Sequence, residues 1–201
     1  MLATLEPLIG DYPHDYDFAA GLIAYSHNPD ADAESFLAKR MDSTNEKVAV
    51  AAAEGLSILS GVTDPSGFVF TLLDERGWAK LTKPQQHYYA VLIYDAEVNN
   101  GGHSQYFVNS SGDSYETALE GLSAIGAKNR AAILTDAVQL FGKSGPSTDN
   151  DKRHEQIAGF SRGQDAQLDA LDSRYYDCDE ITEALLSSYA LANRDHFSKR
   201  K

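Results

Sequence analysis

The sequence is poor in cysteine and in basic residues, and each scarcity excludes a class of protein. A single cysteine, Cys178, among 201 residues cannot form an internal disulfide, which predicts a reducing compartment. Only 17 lysines and arginines stand against 30 aspartates and glutamates, so the formal net charge is -13. This balance argues against direct binding to nucleic acid, which requires clustered Lys and Arg.

Long apolar runs and export signals are scarce as well. The most apolar run, residues 48–59, is too short to span a bilayer and contains Glu54. The first eight residues have no basic start and include Glu6 and Pro7, so they do not resemble a signal peptide. We therefore expect a cytoplasmic protein without a membrane partner.

Recognisable catalytic and metal-binding motifs are missing too. None of the six histidines lies at zinc-type spacing from another histidine or from Cys178. The chain has no phosphate-binding loop, no dinucleotide-binding spacing and no nucleophile elbow. We therefore expect neither a cofactor nor an enzymatic activity.

The chain does contain a succession of helical patterns. Apolar residues recur at helical spacing through most of the sequence, and Gly, Asn and Pro separate the segments. No segment shows convincing strand alternation. We predict an all-α fold, in which a compact multi-helix domain over residues 74–201 follows an acidic helical extension over residues 1–73.

A stretch near the middle of the chain, residues 97–113, separates the two most apolar segments. Its Asn-Asn-Gly-Gly sequence, residues 99–102, tolerates left-handed backbone conformations. A second turn is predicted at residues 109–112. We expect the chain to reverse at both places with Tyr106 and Phe107 between them, and Gly101 or Gly102 to have a positive φ.

Polar residues of this stretch are predicted to hold the turns. Asp95 and Glu97 lie near the end of the first helix, where the helix dipole disfavours carboxylates, so we expect them to accept hydrogen bonds from backbone amides. Asn99 and Asn109 are expected to bond backbone groups across the turns. Asp113 is expected to cap the next helix.

The chain resembles the C-terminal domain of the DNA-mimic protein family over about residues 74–196, and the central stretch carries most of this resemblance. The residues that carry the resemblance, all assigned a structural role, are Asp95, Glu97, Asn99, Asn100, Gly101, Gly102, Gln105, Tyr106, Phe107, Asn109, Gly112 and Asp113. The resemblance implies a non-enzymatic acidic protein that occupies the DNA-binding surface of a partner. The expected partner is a basic DNA-binding protein, such as a regulator or a nuclease.

The acids that would imitate DNA phosphates are expected in the N-terminal region. Residues 1–82 hold 13 acids and 5 bases, which is -8 of the net -13. The predicted partner-binding acids are Asp11, Asp15, Asp17, Asp30, Asp32, Glu34, Asp42 and Glu46. The central stretch is then a structural support and not the contact surface.

Two other functions are left open. An immunity or antitoxin protein would block a toxin through shape more than through charge. An enzyme would require Asp95, Glu97, His103 and Gln105 to converge in an open pocket. Self-association as a homodimer is also left open.

Overall fold

The computed structural model describes residues 19, 21–23, 26–27, 31–62 and 64–197. Four predicted surface acids lie outside these residues: Asp11, Asp15, Asp17 and Asp30. The described residues form α-helices and short 3-10 helices and contain no strand. The predicted all-α fold is therefore confirmed.

The helices follow one another with short connections. In chain order the α-helices are α1 (Ala33–Ala38), α2 (Glu46–Ser60), α3 (Pro65–Arg76), α4 (Lys83–Val108), α5 (Tyr115–Ile125), α6 (Lys128–Gln139), α7 (Asn150–Ala158), α8 (Arg162–Tyr176) and α9 (Thr182–Ala192). Short 3-10 helices cover Trp78–Lys80, Ser110–Ser114 and Arg194–His196.

The chain divides into two compact units. The first comprises residues 1–81 and 183–201, and the second comprises residues 82–182. The domain boundary predicted after residue 73 stays a prediction. In the described part of the chain, no single helix is long and apolar enough to cross a bilayer, although α2 and α3 taken together have that length and composition.

The described core of the first unit is made mainly of small and aliphatic side chains. Leu22, Phe36 and Leu37 pack with a face of α2 that is rich in alanine. Asn45 begins α2 by accepting hydrogen bonds from the backbone amides of Lys47 and Val48. The alanine face lets neighbouring side chains approach the α2 backbone closely.

The second unit is built around α4. Its residues Val91, Tyr94 and Val98 have no exposed surface. Gly121 allows α5 to lie against α4, because a Cβ at that position would stand 2.9 Å from the carbonyl oxygen of His87. The second half of α4 is buried as well, with no exposed surface at Val98, Tyr106 and Phe107, so its polar side chains need partners.

Candidate functional site

The predicted first turn is a kink within α4. Gly101 has φ -161° and ψ 26°, and Gly102 has φ 72° and ψ -176°, whereas α4 as a whole runs on to Val108. The positive φ of Gly102 confirms the expectation for this pair of glycines. The expected reversal of the chain at residues 99–102 is wrong, because Asn99 and Asn100 are still helical and the helix resumes at His103.

Asp172 of α8 caps the part of α4 that restarts after the kink. The first backbone amides of a restarted helix have no partner within the helix, and the carboxylate of Asp172 accepts a 2.8 Å hydrogen bond from the amide of His103. The same Oδ1 lies 2.5 Å from Nδ1 of His103. Gly102 faces this carboxylate, so a Cβ there would collide with it.

His103 is fully buried and bonded at both ring nitrogens. Its Nε2 lies 2.9 Å from the hydroxyl of Tyr94. Because the Asp172 carboxylate can only accept, we assign a proton to Nδ1. The Tyr94 hydroxyl bonds Nε2, so neither ring nitrogen is left without a partner.

Glu97 gathers the side chains that follow the kink. Its carboxylate accepts hydrogen bonds from Gln105 at 2.6 Å, Asn109 at 2.9 Å and Ser111 at 2.6 Å. Burial raises the pKa of Glu97, but the hydrogen bonds from Ser111, Gln105 and Asn109 together outweigh it and hold the pKa below its ordinary value. The ionised carboxylate therefore ties α4 to the 3-10 helix Ser110–Ser114.

Asp95 is held by a different set of side chains. It accepts a 2.5 Å hydrogen bond from the hydroxyl of Tyr175, and Nη1 of Arg130 lies 3.6 Å away. The Arg130 guanidinium stands 4.0 Å from the centre of the Tyr175 ring. Burial and the nearby Asp95 charge raise the pKa of Tyr175, so this phenol stays protonated.

The expected partners of Asp95 and Glu97 were wrong. Both carboxylates accept hydrogen bonds from side chains and not from backbone amides. The backbone amide that follows the kink, that of His103, donates to Asp172 instead. Asn99 bonds the backbone carbonyl of Asp95 one turn back in the same helix, and not across a turn. Asn109 donates its side-chain amide to the Glu97 carboxylate.

Arg153, on α7, is the largest buried polar residue that sequence reasoning missed. Its guanidinium donates to the carbonyl oxygens of Phe107 at 2.6 Å, Ser147 at 2.5 Å and Asn109 at 2.9 Å, and to Asp113 at 2.6 Å. Asp113 therefore pairs with this arginine, and Ser114 precedes α5 in its place. The expectation that Asp113 caps that helix is wrong.

A family model described as "DMP19-like protein" matches residues 79–193, which are 115 of the 201 residues. The chain belongs to the DMP19-like protein family. The matched stretch contains the α4 kink and every partner of it described above. No curated protein and no solved structure matches the chain.

In this DMP19-like protein, Asp95, His103 and the bonded pair Glu97 and Gln105, the four residues of the alternative enzyme hypothesis, have three different sets of hydrogen-bond partners. His103 bonds Asp172 and Tyr94 and has no exposed surface, whereas Gln105 bonds Glu97. Asp95 bonds Tyr175. Because His103 has no exposed surface, these four side chains do not together line the open pocket that the hypothesis required. Within the described residues, no group of three His, Cys, Asp or Glu side chains is placed to hold a metal ion.

Two groups of described acids bear on the predicted acidic surface. Asp32, Glu34, Asp42 and Glu46 of the predicted set are all exposed in the first unit. In the second unit, Asp165, Asp169 and Asp172 stand at positions i, i+4 and i+7 of α8. Residues at this spacing share one side of a helix, so these three form a row that the sequence analysis did not single out.

Proposed function

We propose that this protein is a non-enzymatic binding protein whose acidic surface imitates the phosphates of DNA and occupies the nucleic-acid-binding surface of a basic partner. Membership of the DMP19-like family supports the proposal, as does the excess of 30 acids over 17 bases. The fixed pairing of the polar residues around the α4 kink supports a structural role for that stretch.

The observation that carries the proposal is the row of carboxylates along α8. Asp165 and Asp169 are exposed, and Asp172, which is half-buried and bonded to His103, follows on the same side of the helix. The three positions rise by roughly 6 Å and then roughly 4.5 Å along the helix axis. One strand of duplex DNA carries a charge about every 3.4 Å of axis, so the rise of roughly 6 Å between Asp165 and Asp169 is close to two phosphate steps.

A row of this kind is useful only if it is rigid, and three contacts fix α8 to α4. Asp172 bonds His103 on both the amide and the ring. Tyr175 donates to Asp95 at 2.5 Å, and Tyr176 donates to the carbonyl oxygen of Val98 at 2.9 Å. Rigid placement lowers the ordering cost of binding, so residues 97–113 support the acidic surface of α8 without forming it.

Competition with DNA tests the proposal. Purified products of neighbouring genes are candidate partners, and each is titrated with the protein in the presence and absence of a fluorescent DNA duplex. A mimic displaces the duplex from its partner, and the affinity falls steeply with salt. A partner that holds duplex and protein together contradicts the proposal, and a partner that binds no nucleic acid favours the immunity function.

Charge-neutral variants locate the surface. The double variant Asp165→Asn with Asp169→Asn should weaken partner binding by about tenfold or more, because two charges of the row are lost. The matched control carries Asp151→Asn with Glu155→Gln, two exposed acids on α7 at the same i, i+4 spacing. A set with Asp32, Glu34, Asp42 and Glu46 neutralised tests the N-terminal surface in the same way.

A further inference from the structure

A groove runs along the second unit between α6 and α8. The two helices are antiparallel, because Arg174 near the end of α8 pairs with Asp136 of α6 at 2.8 Å, and Gln164 near its start bonds the carbonyl oxygen of Leu140 at 2.9 Å. Two cavities of about 480 Å³ and about 370 Å³ lie along the groove, and Arg174 contributes to the walls of both. Cavities of this size suit side chains of an incoming molecule.

The two cavities differ in charge. The larger has Leu140, Ala170 and Leu171 in its walls with Gln139 and Gln167, and its carboxylate, Asp136, is paired with Arg174. The smaller has Ile133 and Ala132 beside two exposed carboxylates, Asp177 and Asp179. The groove therefore offers a partly apolar site without net charge next to an acidic one.

The charge balance of the groove favours a cation at the acidic end. Arg174 is the basic residue shared by both cavities, and its charge is already paired with Asp136. Asp177 and Asp179 remain as the excess charge in the smaller cavity. A second copy of this chain, with a net charge of -13, would meet repulsion there.

We propose that this groove binds an amphipathic helix of a partner protein, with apolar side chains in the larger cavity and a Lys or Arg in the smaller. The inference that the partner is basic rests on the proposed function, whereas the existence of the groove is independent of it. The smaller cavity extends past the C-terminal end of α8, because Asp177, Cys178 and Asp179 follow its last residue, Tyr176. A helix with apolar residues at i and i+4 and a base about one turn further on, near i+7, would reach from the larger cavity into the smaller.

A synthetic peptide tests the proposal directly. The probe is a fluorescent helical peptide with leucines at i and i+4 and lysines at i+7 and i+8, and binding is followed by fluorescence anisotropy. Matched peptides carry glutamate for both lysines or glutamine for both leucines. The proposal expects the first peptide to bind and each matched peptide to bind at least about tenfold more weakly.

Filling the groove should abolish this binding without unfolding the protein. Ala132 and Ala170 are exposed residues in the walls of the smaller and larger cavities, so Ala132→Gln and Ala170→Gln each obstruct one cavity. Ala166→Gln, also exposed on α8 and outside the walls of both cavities, is the control. Circular dichroism checks that all three variants fold.

Cys178 supplies a second measurement. It is the only cysteine of the chain and it lines the smaller cavity. A bound peptide should slow its alkylation severalfold in the wild type and in Ala166→Gln, but not in Ala132→Gln. The proposal is overturned if the leucine–lysine peptide does not bind, if groove-filled variants bind it as well as the wild type does, or if the glutamate peptide binds equally well.

These results separate the groove from the DNA-mimic proposal. The groove variants are tested by peptide binding, whereas the Asp165 and Asp169 variants are tested by partner binding in competition with DNA. A peptide that occupies the groove of a protein that never displaces DNA supports the groove and refutes the mimic. The reverse pattern supports the mimic and refutes the groove.

Discussion

The two units fill their interiors with different chemistry. In the first unit, the described core is mainly alanine, valine, leucine and phenylalanine, and its described buried polar residues are Ser26 and Ser57. In the second unit, buried His103, Arg130 and Arg153 accompany fully buried tyrosines. The comparison shows that the first core depends on filling volume, whereas the second also depends on the hydrogen bonds of most of its buried polar groups.

This difference determines which substitutions each unit tolerates. A core of aliphatic side chains accepts replacements of similar volume, since apolar contacts have little directional preference. A buried polar network does not, because each lost partner leaves another group unpaired in a low dielectric. Each prediction below pairs a change in the second unit with a reference variant.

The largest effect is expected from Arg153→Met. The guanidinium bonds three backbone carbonyls and Asp113 with no exposed surface, so its loss leaves four acceptors without this donor. We expect the free energy of unfolding to fall by about 4 kcal/mol. Urea unfolding measures the change.

The reference variant is Leu37→Met in the core of the first unit. Leu37 is also fully buried, but methionine conserves most of its volume. The cost should be below about 1.5 kcal/mol. Equal costs for the two methionine variants would contradict the proposed difference between the units.

Gly102→Ala should have the next largest effect. Its φ of 72° with ψ of -176° is a conformation that only glycine adopts readily, and the new Cβ would collide with the Asp172 carboxylate. Displacing Asp172 also releases the amide and the ring of His103. We expect a loss of about 3 kcal/mol, measured by thermal or urea unfolding.

Gly61→Ala provides the comparison in the first unit. Gly61 ends α2 with φ 77°, but a Cβ there has no neighbour within 4 Å. Only the backbone strain remains, so the cost should be about 1 kcal/mol. If Gly102→Ala melts normally but loses partner binding, the α4 kink is a contact site and its assigned structural role is wrong.

The fold class and the glycine at the kink were predictable because both depend on local chemistry. Helical spacing of apolar residues and an Asn-Asn-Gly-Gly sequence are visible without any knowledge of distant contacts. The partners were not predictable. Asp172 lies 69 residues from His103, and Arg153 lies 46 residues from Phe107. Arg153 stands in a strongly polar helix, where nothing local distinguishes a buried arginine from an exposed one.

The errors at Asp95 and Glu97 have the same origin. Carboxylates near a helix end were expected to meet the amides of the following turn. α4 continues past the kink, so those amides are partly used within the helix, and the carboxylates instead meet side chains from Tyr175, Gln105 and Ser111. Residues 97–113 alone do not determine whether the chain forms a turn or a kinked helix there.

Glu97→Gln should produce a smaller, pH-dependent effect. The new amide would place a donor against donors from Gln105, Asn109 and Ser111, so we expect a loss of about 1–2 kcal/mol at neutral pH. The folded-state pKa of Glu97 lies below its ordinary value of 4.5. Its stabilising contribution is therefore complete above pH 4.5 and is lost as the pH falls through the folded-state value.

Urea unfolding of wild type and Glu97→Gln across pH 3–7 would follow this contribution. The difference between the two proteins should shrink on acidification. Glu34→Gln, at an exposed position of α1 in the first unit, should change stability by less than about 0.5 kcal/mol at neutral pH. A Glu97→Gln difference that stays constant down to pH 3 would exclude the ionised carboxylate as its source.

The smallest effect is expected from Tyr106→Phe, and its direction tests the argument about pairing. The hydroxyl of Tyr106 is fully buried and has no hydrogen-bond partner among the residues that the structure describes, whereas that of Tyr175 donates to Asp95 at 2.5 Å. Removing an unpaired buried hydroxyl should leave the free energy of unfolding unchanged or raise it by up to about 1 kcal/mol, whereas Tyr175→Phe should lower it by about 2 kcal/mol. Both variants lose one hydroxyl oxygen, so a difference between them in urea unfolding reports the contribution of the hydrogen bond and not that of the lost volume. A clear loss of stability in Tyr106→Phe would mean that this hydroxyl has a partner such as a buried water molecule.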